Sequence, residues 1–316
     1  MAKALRKKIQ KIAAKMGYRP NAAAAALTHF RTTSKTKPIE SVLAWLNFWP
    51  EPKQLYKIAL FDAQWKGAIE AAESLGYRVE EFICNESLPP ERLKRILTAR
   101  GIQGILLPPQ RPPIPREKYD FDWSRFAVIR IGHSVPYPKA HVVAHAQASN
   151  TVDLMVRIQQ LGYERIGYVT SKTIRAYGLF DAGYMKVRAM EAKKDQIPVL
   201  MLADQTNANP QPLDEVRAWM KKHQPEAILS TEGNIIALLT AAGFRVPKDV
   251  GVAATSIMAS DATAGMLENP MEVGRVAVKN LVALIQRGEL GMPEFRQNIL
   301  VRGNWQDGST LPPVKR

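Results

Sequence analysis

Leu161-Gly162-Tyr163-Glu164-Arg165-Ile166-Gly167-Tyr168-Val169-Thr170 is the stretch on which the fold turns. Residues 147–161 before it carry apolar side chains at helical spacing. Gly162 then supplies the left-handed residue that closes a helix. Arg165–Thr170 is a short apolar run of the kind that makes a buried strand. A helix therefore hands over to a strand within about four residues, which is the usual length of an αβ connection.

The same join recurs on either side, at Gly76-Tyr77 and at Gly243-Phe244. Strand-like runs are expected at Ser41–Phe48, Arg78–Ile83, Gly104–Leu107, Ala127–Ile131, Arg165–Thr170, Val199–Leu202, Ala227–Ser230 and Val250–Ser256. Helical patterns lie between them at 55–76, 90–100, 147–161, 178–193, 212–223 and 233–242. Short buried strands alternating with helices predict parallel sheets covered on both faces, an α/β fold. At 316 residues the chain is long for a single core, so two lobes are expected. A last helix at 272–287 sets Val273, Val276, Ala277, Leu281, Leu284 and Ile285 along one stripe, which is core packing.

Composition narrows the function classes. The hydrophobic fraction of 46% is that of a globular protein, and no run reaches the ~18 apolar residues of a membrane span. No apolar segment with a small-residue cleavage site follows the basic N-terminus, so no signal peptide is expected. Cys84 is the only cysteine, which excludes an intrachain disulfide and suits a reduced cytoplasm. The net charge of +15 is uneven: residues 1–37 hold ten basic residues and no acidic one, leaving +5 for the rest. A basic end on a near-balanced body suggests phosphate contact; a solvated arm without a partner is the alternative.

No catalytic signature is present: there is no dinucleotide glycine fingerprint, Walker loop, nucleophile elbow or zincin helix. His141 and His145 are four apart, but the intervening valines read as extended, which separates them too far to share a metal. No enzyme activity, metal or cofactor is expected.

The basic N-terminal segment forms one helix over residues 5–16, stopped by Pro20, and Asn21 can cap a second short helix through Leu27. Residues 28–38 read as a polar linker. Gly17-Tyr18-Arg19-Pro20-Asn21, the alanines and Leu27 resemble the end of the DNA-binding headpiece of LacI/GalR-type regulators. Gly243-Phe244-Arg245-Val246-Pro247-Lys248-Asp249-Val250-Gly251 resembles the G-x-x-V-P-x-D-V run of their effector domains. Val273–Leu281 resembles their M-G-x-x-A-V-x-x-L helix, Gly303–Thr310 their closing segment, and Leu161–Gly167 their L-G-H-x-R-I-A segment. The matches keep family order from residue 17 to residue 310.

The resemblance implies two Rossmann-like lobes joined by three crossovers, as in periplasmic binding proteins. It places a headpiece remnant, hinge helix and linker at 1–38, an N-terminal lobe at 39–146 plus 268–290, and a C-terminal lobe at 147–267 plus 291–316. It implies a helix-turn-helix ahead of residue 17 that this chain lacks, so operator binding is expected to be weak. The implied DNA contacts are Arg19, Asn21, Leu27 and Arg31, with Leu27 wedged into the minor groove or else packed on its own lobe. The implied function is a ligand-responsive transcriptional regulator, a cytoplasmic homodimer. The alternative is a cytoplasmic small-molecule sensor without specific DNA binding.

Ligands of α/β sheets bind beyond the carboxyl ends of the strands, and in two-lobe proteins between the lobes. The expected ligand residues are Phe48, Trp49, His145, Arg175, Glu232 and Asn234, with Asn47, Gln147, Thr170, Ser171, Tyr177 and Thr231 beside them. Trp49 has two readings, stacking on a ligand or packing in the core. Arg175 has two as well, a ligand cation or a surface ion pair. Where the family has D-N in the crossover this chain has His145-Ala146, and where it has N-D after a second-lobe strand this chain has Glu232-Gly233. Phe180 stands where an arginine is expected. A paired carboxylate for sugar hydroxyls is thereby lost, although Glu232 can take one of its roles, so the effector reads as carbohydrate-derived and not necessarily a plain sugar.

Overall fold

The computed structural model describes residues 41–110, 117, 121–190, 196–203 and 213–314. The segment 1–38, with Arg19, Asn21, Leu27 and Arg31, lies outside the described residues.

Two sheets form. The first begins with β1 (Ser41–Asn47), β2 (Tyr77–Ile83), β3 (Gly104–Leu107), β4 (Ala127–Ile131) and β5 (His141–His145). The second takes β6 (Ile166–Ser171), β7 (Leu200–Leu202), β8 (Ala227–Ser230), β9 (Gly251–Ala254) and β10 (Gly265–Leu267). Two late strands, β11 (Asn298–Val301) and β12 (Asn304–Gln306), close one edge of each. The orders are β11-β5-β4-β3-β1-β2 and β12-β10-β9-β8-β6-β7. Every pairing is parallel except β10 with β12.

The helices are α1 (Gln54–Lys57), α2 (Ala59–Ser74), α3 (Pro90–Ala99), α4 (Gln147–Gln160), α5 (Lys172–Tyr177), α6 (Phe180–Arg188), α7 (Leu213–His223), α8 (Ile235–Ala241) and α9 (Pro270–Gln286). The three glycines at the helix-to-strand joins, Gly76, Gly162 and Gly243, have φ of +77°, +97° and +94°. Only glycine enters that region without a Cβ penalty, which is why the cap fixes each helix end. One expected helix is broken in two, and another has a separate short helix ahead of it. Residues 55–76 split at Ile58, whose ψ of 108° is extended, and 178–193 is preceded by α5 and a separate start at Phe180.

Strand alternation sorts the core. Leu43, Trp45, Leu106, Ile129 and Val143 face α2 and α9, while Ala44, Leu46, Ile105 and Val128 face the α3 side. In the second sheet Ile166, Tyr168, Leu229 and Ala253 face α4 and α6, and Val169, Ile228 and Val252 face α7 and α8. Helices α2 and α9 cross closely because both contact positions lack a side chain. A Cβ on Gly67 would lie 2.0 Å from the Met271 carbonyl, and one on Gly274 2.0 Å from that of Gln64.

The chain crosses between sheets after β5, after β10 and between β11 and β12. One boundary needs correction. Residues 291–316 were expected together in the second lobe, but Asn298–Val301 pairs in register with Val142–His145 in the first sheet. Only Arg302 and Gly303 separate it from β12 in the second. Among the described residues no helix is long and apolar enough to cross a membrane.

Candidate functional site

The carboxyl end of β6 gathers a cluster of polar and charged side chains. Tyr168 and Thr170 point to the same side of the strand, and both are fully buried. The Tyr168 hydroxyl donates to Asp181 Oδ1 at 3.0 Å, and Arg175 Nε meets Asp181 Oδ2 at 2.8 Å. Asp181 sits in the first turn of α6, where a carboxylate suits the helix dipole. Burial and the Asp181 charge push the Tyr168 phenol far up, so it stays a donor. The Glu232 charge acts on the same phenol. Thr231 Oγ1 lies 2.9 Å from Thr170 Oγ1 and 3.1 Å from Glu232 Oε1, and the Glu232 amide donates to Ser230 Oγ. Glu232 is partly exposed and Arg175 exposed, so this group offers a carboxylate and a guanidinium over a floor of hydroxyls. Asn234 stands at the start of α8 without a side-chain cap bond.

The first lobe is different. Trp49 is 7% exposed, edge-on to Phe61 at 6.4 Å, and its indole N–H donates to the Pro109 carbonyl at 2.9 Å. Of its two readings the structure has the core one. Phe48 turns to the opposite face of the sheet, where it lines an apolar cavity of about 180 Å³ with Leu46, Cys84, Leu93, Phe121 and Trp123. Phe48 and Trp49 therefore do not share a surface. Gln110, 3% exposed, receives the Phe48 amide and donates to the Leu46 and Pro108 carbonyls. Asn47 is spent on Pro52, Glu81 and the Trp49 amide.

His145 is not at an open surface. It is 6% exposed, with Gln64 Nε2 3.2 Å from Nε2 and Glu268 Oε1 3.8 Å from Nδ1. Burial holds its pKa down at about 4 and pushes that of Glu268 up to about 7. Both groups are thus favoured in their uncharged forms and do not make an ion pair.

A second pocket, about 320 Å³, is lined by Arg130, His133, Val135 and Arg296 of the first lobe and by Ala176 of α5. Arg130 holds the 135–138 loop through its carbonyls. Burial first, then Arg130 and Arg296, lowers the His133 pKa. No carboxylate is among the lining residues.

Sequence reading missed Asp181, Tyr168, Gln64, Glu268 and the Arg130–His133–Arg296 group. Only Asp181 carried a signal, as an acid in a helix's first turn.

Among solved structures the chain is similar to a transcriptional regulator CelR–cellobiose complex, at 17% identity over 98% of this chain and 91% of that one, TM-score 0.61. It is similar to a regulatory protein of LacI family from Chloroflexus aggregans, at 16% identity over 85% and 98%, TM-score 0.60. A LacI family transcriptional regulator from Enterococcus faecium with bound ribose matches at 13% identity over 87% and 100%, TM-score 0.57. No family model and no curated protein matches the chain. The likeness is one of fold: this chain has the two-lobe α/β fold of LacI-family regulators, as its motifs implied.

Proposed function

We propose that this chain is the effector-sensing part of a ligand-responsive transcriptional regulator of the LacI type. The observation that carries this reading is the Tyr168–Asp181–Arg175–Glu232 group, set at the carboxyl ends of β6 and β8 where a two-lobe fold takes its ligand. Arg175 and Glu232 reach the effector, Asp181 holds Arg175 and Thr231 holds Glu232, and closure of the lobes on the effector shifts the assembly. Trp49 and Phe48 support the first lobe from within. The effector is carbohydrate-derived, and an acidic substituent is accommodated by His133 and Arg296.

Two copies associate as a dimer, and the ten cations of residues 1–37 contact DNA phosphates. The N-terminal contacts are Arg19, Asn21, Leu27 and Arg31. Cellobiose and ribose occur with structural neighbours and are reasonable first probes, joined by a uronic acid and a hexose phosphate. Calorimetry against this panel, repeated with Glu232→Gln, tests the site. Binding that Glu232→Gln weakens supports it; binding untouched by Glu232→Gln and Arg175→Ala overturns it. Loss of salt-sensitive DNA binding on effector addition tests the regulatory part. No DNA binding in either state favours the sensor reading.

A further inference from the structure

Two of the three crossovers meet at one buried cluster. His145 ends β5, Glu268 follows β10 at 3% exposure, and Gln64 of α2 is 2% exposed. The Gln64 amide nitrogen donates to His145 Nε2, which leaves the ring proton on Nδ1, 3.8 Å from Glu268 Oε1. Gln64 Oε1 and His145 Nδ1 are buried without a hydrogen-bond partner. Ser256, just past β9, sits beside the Glu268 carboxyl and favours its ionised form. The cluster thus joins α2 and β5 of the first lobe to the second lobe and its exit strand.

Among the described residues no charge on the elements packed around the carboxyl balances it. α2 presents neutral Gln64, with its Asp62–Lys66 pair on a more exposed side. β9 presents Ser256, and β10 carries no titratable residue. In the first turn of α9, Glu272 is held by Arg275; at the third crossover, Arg302 is held by Asp153. A buried carboxyl and imidazole without counter-charge are cheapest when neutral. Water entering between the lobes removes that constraint.

We propose that His145 and Glu268 exchange a proton as the lobes move, neutral when the crossovers are packed as here and an imidazolium–carboxylate pair when they are hydrated. This rests on the reading that the lobes open and close. On opening, the Glu268 O–H bond breaks, entering water carries the proton, and an N–H bond forms at His145 Nε2. Gln64 turns its amide so that the idle Oε1 accepts that new N–H. One proton leaves and one arrives, so the count is unchanged.

The pKa directions agree. Glu268 is raised to about 7, so it supports closure fully below its ordinary value and loses that support as pH rises through 7. His145 is lowered to about 4, so it supports closure above its ordinary value and loses that support as pH falls towards 4. The two slopes oppose one another, and the intact pair makes lobe closure nearly indifferent to pH between about 4.5 and 6.5.

The test uses the ligand-free chain, so it does not depend on an effector being found. Ring NMR, with His145→Gln for assignment, reads the His145 titration. Spin labels on the two lobes read the closed-to-open ratio at pH 5.5 and 6.5. In the unsubstituted protein the imidazolium fraction of His145 should follow the open fraction, with little change in the closed-to-open ratio between pH 5.5 and 6.5. Glu268→Gln should lose closed form about tenfold per pH unit below ~6.5, and His145→Gln should gain it about tenfold per unit towards ~4.5. Circular dichroism confirms that each variant folds. An imidazolium fraction of His145 that does not follow the open fraction, lobes that never separate, or two variants as flat as the parent would each overturn the proposal. Absence of effector binding would instead count against the sensing role, and leaves these ligand-free readings intact.

Discussion

The strand ends of the two sheets face comparable positions in the fold and are built in opposite ways. In the first sheet the polar groups at the ends of β1 and β3 are consumed at home: Asn47 ties Pro52, Glu81 and Trp49, and Gln110 ties residues 46, 48 and 108. In the second sheet the groups after β6 and β8 support one another but leave Arg175 and Glu232 partly in water. A satisfied, buried network rigidifies, whereas a half-exposed one can trade solvent for a ligand. On the proposed function, the first lobe serves as a fixed wall and the second supplies the recognition chemistry.

The sharpest way to break that contrast is Trp49→Ala. A ring at 7% exposure packed on Phe61, with its N–H on Pro109, should cost about 3–5 kcal/mol of stability on truncation. Denaturant unfolding measures it. A loss below about 1 kcal/mol, with weakened effector binding instead, would return Trp49 to the ligand face.

Next in size is Asp181→Ala, which strips the Tyr168 hydroxyl of its acceptor in a fully buried position. The expected loss is about 1–3 kcal/mol, and Tyr168→Phe in the same background should recover much of it. If the double variant is no better than the single, the hydroxyl is not the group left stranded.

Glu232→Gln tests recognition apart from stability. A hydrogen bond to a charged group is worth about 1.5–3 kcal/mol, so effector affinity should fall by roughly tenfold to a hundredfold. Thermal unfolding of the free protein should barely move, because Glu232 is only partly buried. A large stability loss would place Glu232 with the structural residues of the first lobe.

Much of this contrast was hidden from the sequence, and the reason is distance along the chain. The βα rhythm, the caps at Gly76, Gly162 and Gly243 and the α9 stripe are local patterns, and each is found where it was read. Arg175 and Glu232 could be named because each follows a strand end. Trp49 could not be decided, since an aromatic ring after a strand suits a cleft and a core equally. Gln64, His145 and Glu268 are brought together only by the crossovers, and β11 joins the first sheet with no more than Arg302-Gly303 to mark the switch.

The smallest expected effect concerns the one place where the first lobe breaks its own rule. Arg296 is exposed and lines the pocket with His133, where no carboxylate offsets them. An exposed cation gains only about 0.2–1 kcal/mol from an ion pair, and salt screens it over ~10 Å at 0.1 M. Arg296→Ala should therefore weaken a uronic acid or hexose phosphate only a few-fold, more at low salt than at high, and leave a neutral sugar unchanged. His133 sharpens the same test. Its pKa is lowered by burial and by Arg130 and Arg296, so a bound anion should raise it and take up a fraction of a proton near neutral pH. Calorimetry in two buffers of different ionisation enthalpy reads that uptake. Equal loss for charged and neutral sugars, with no proton uptake, would mean that the pocket plays no part and that the first lobe is a wall throughout.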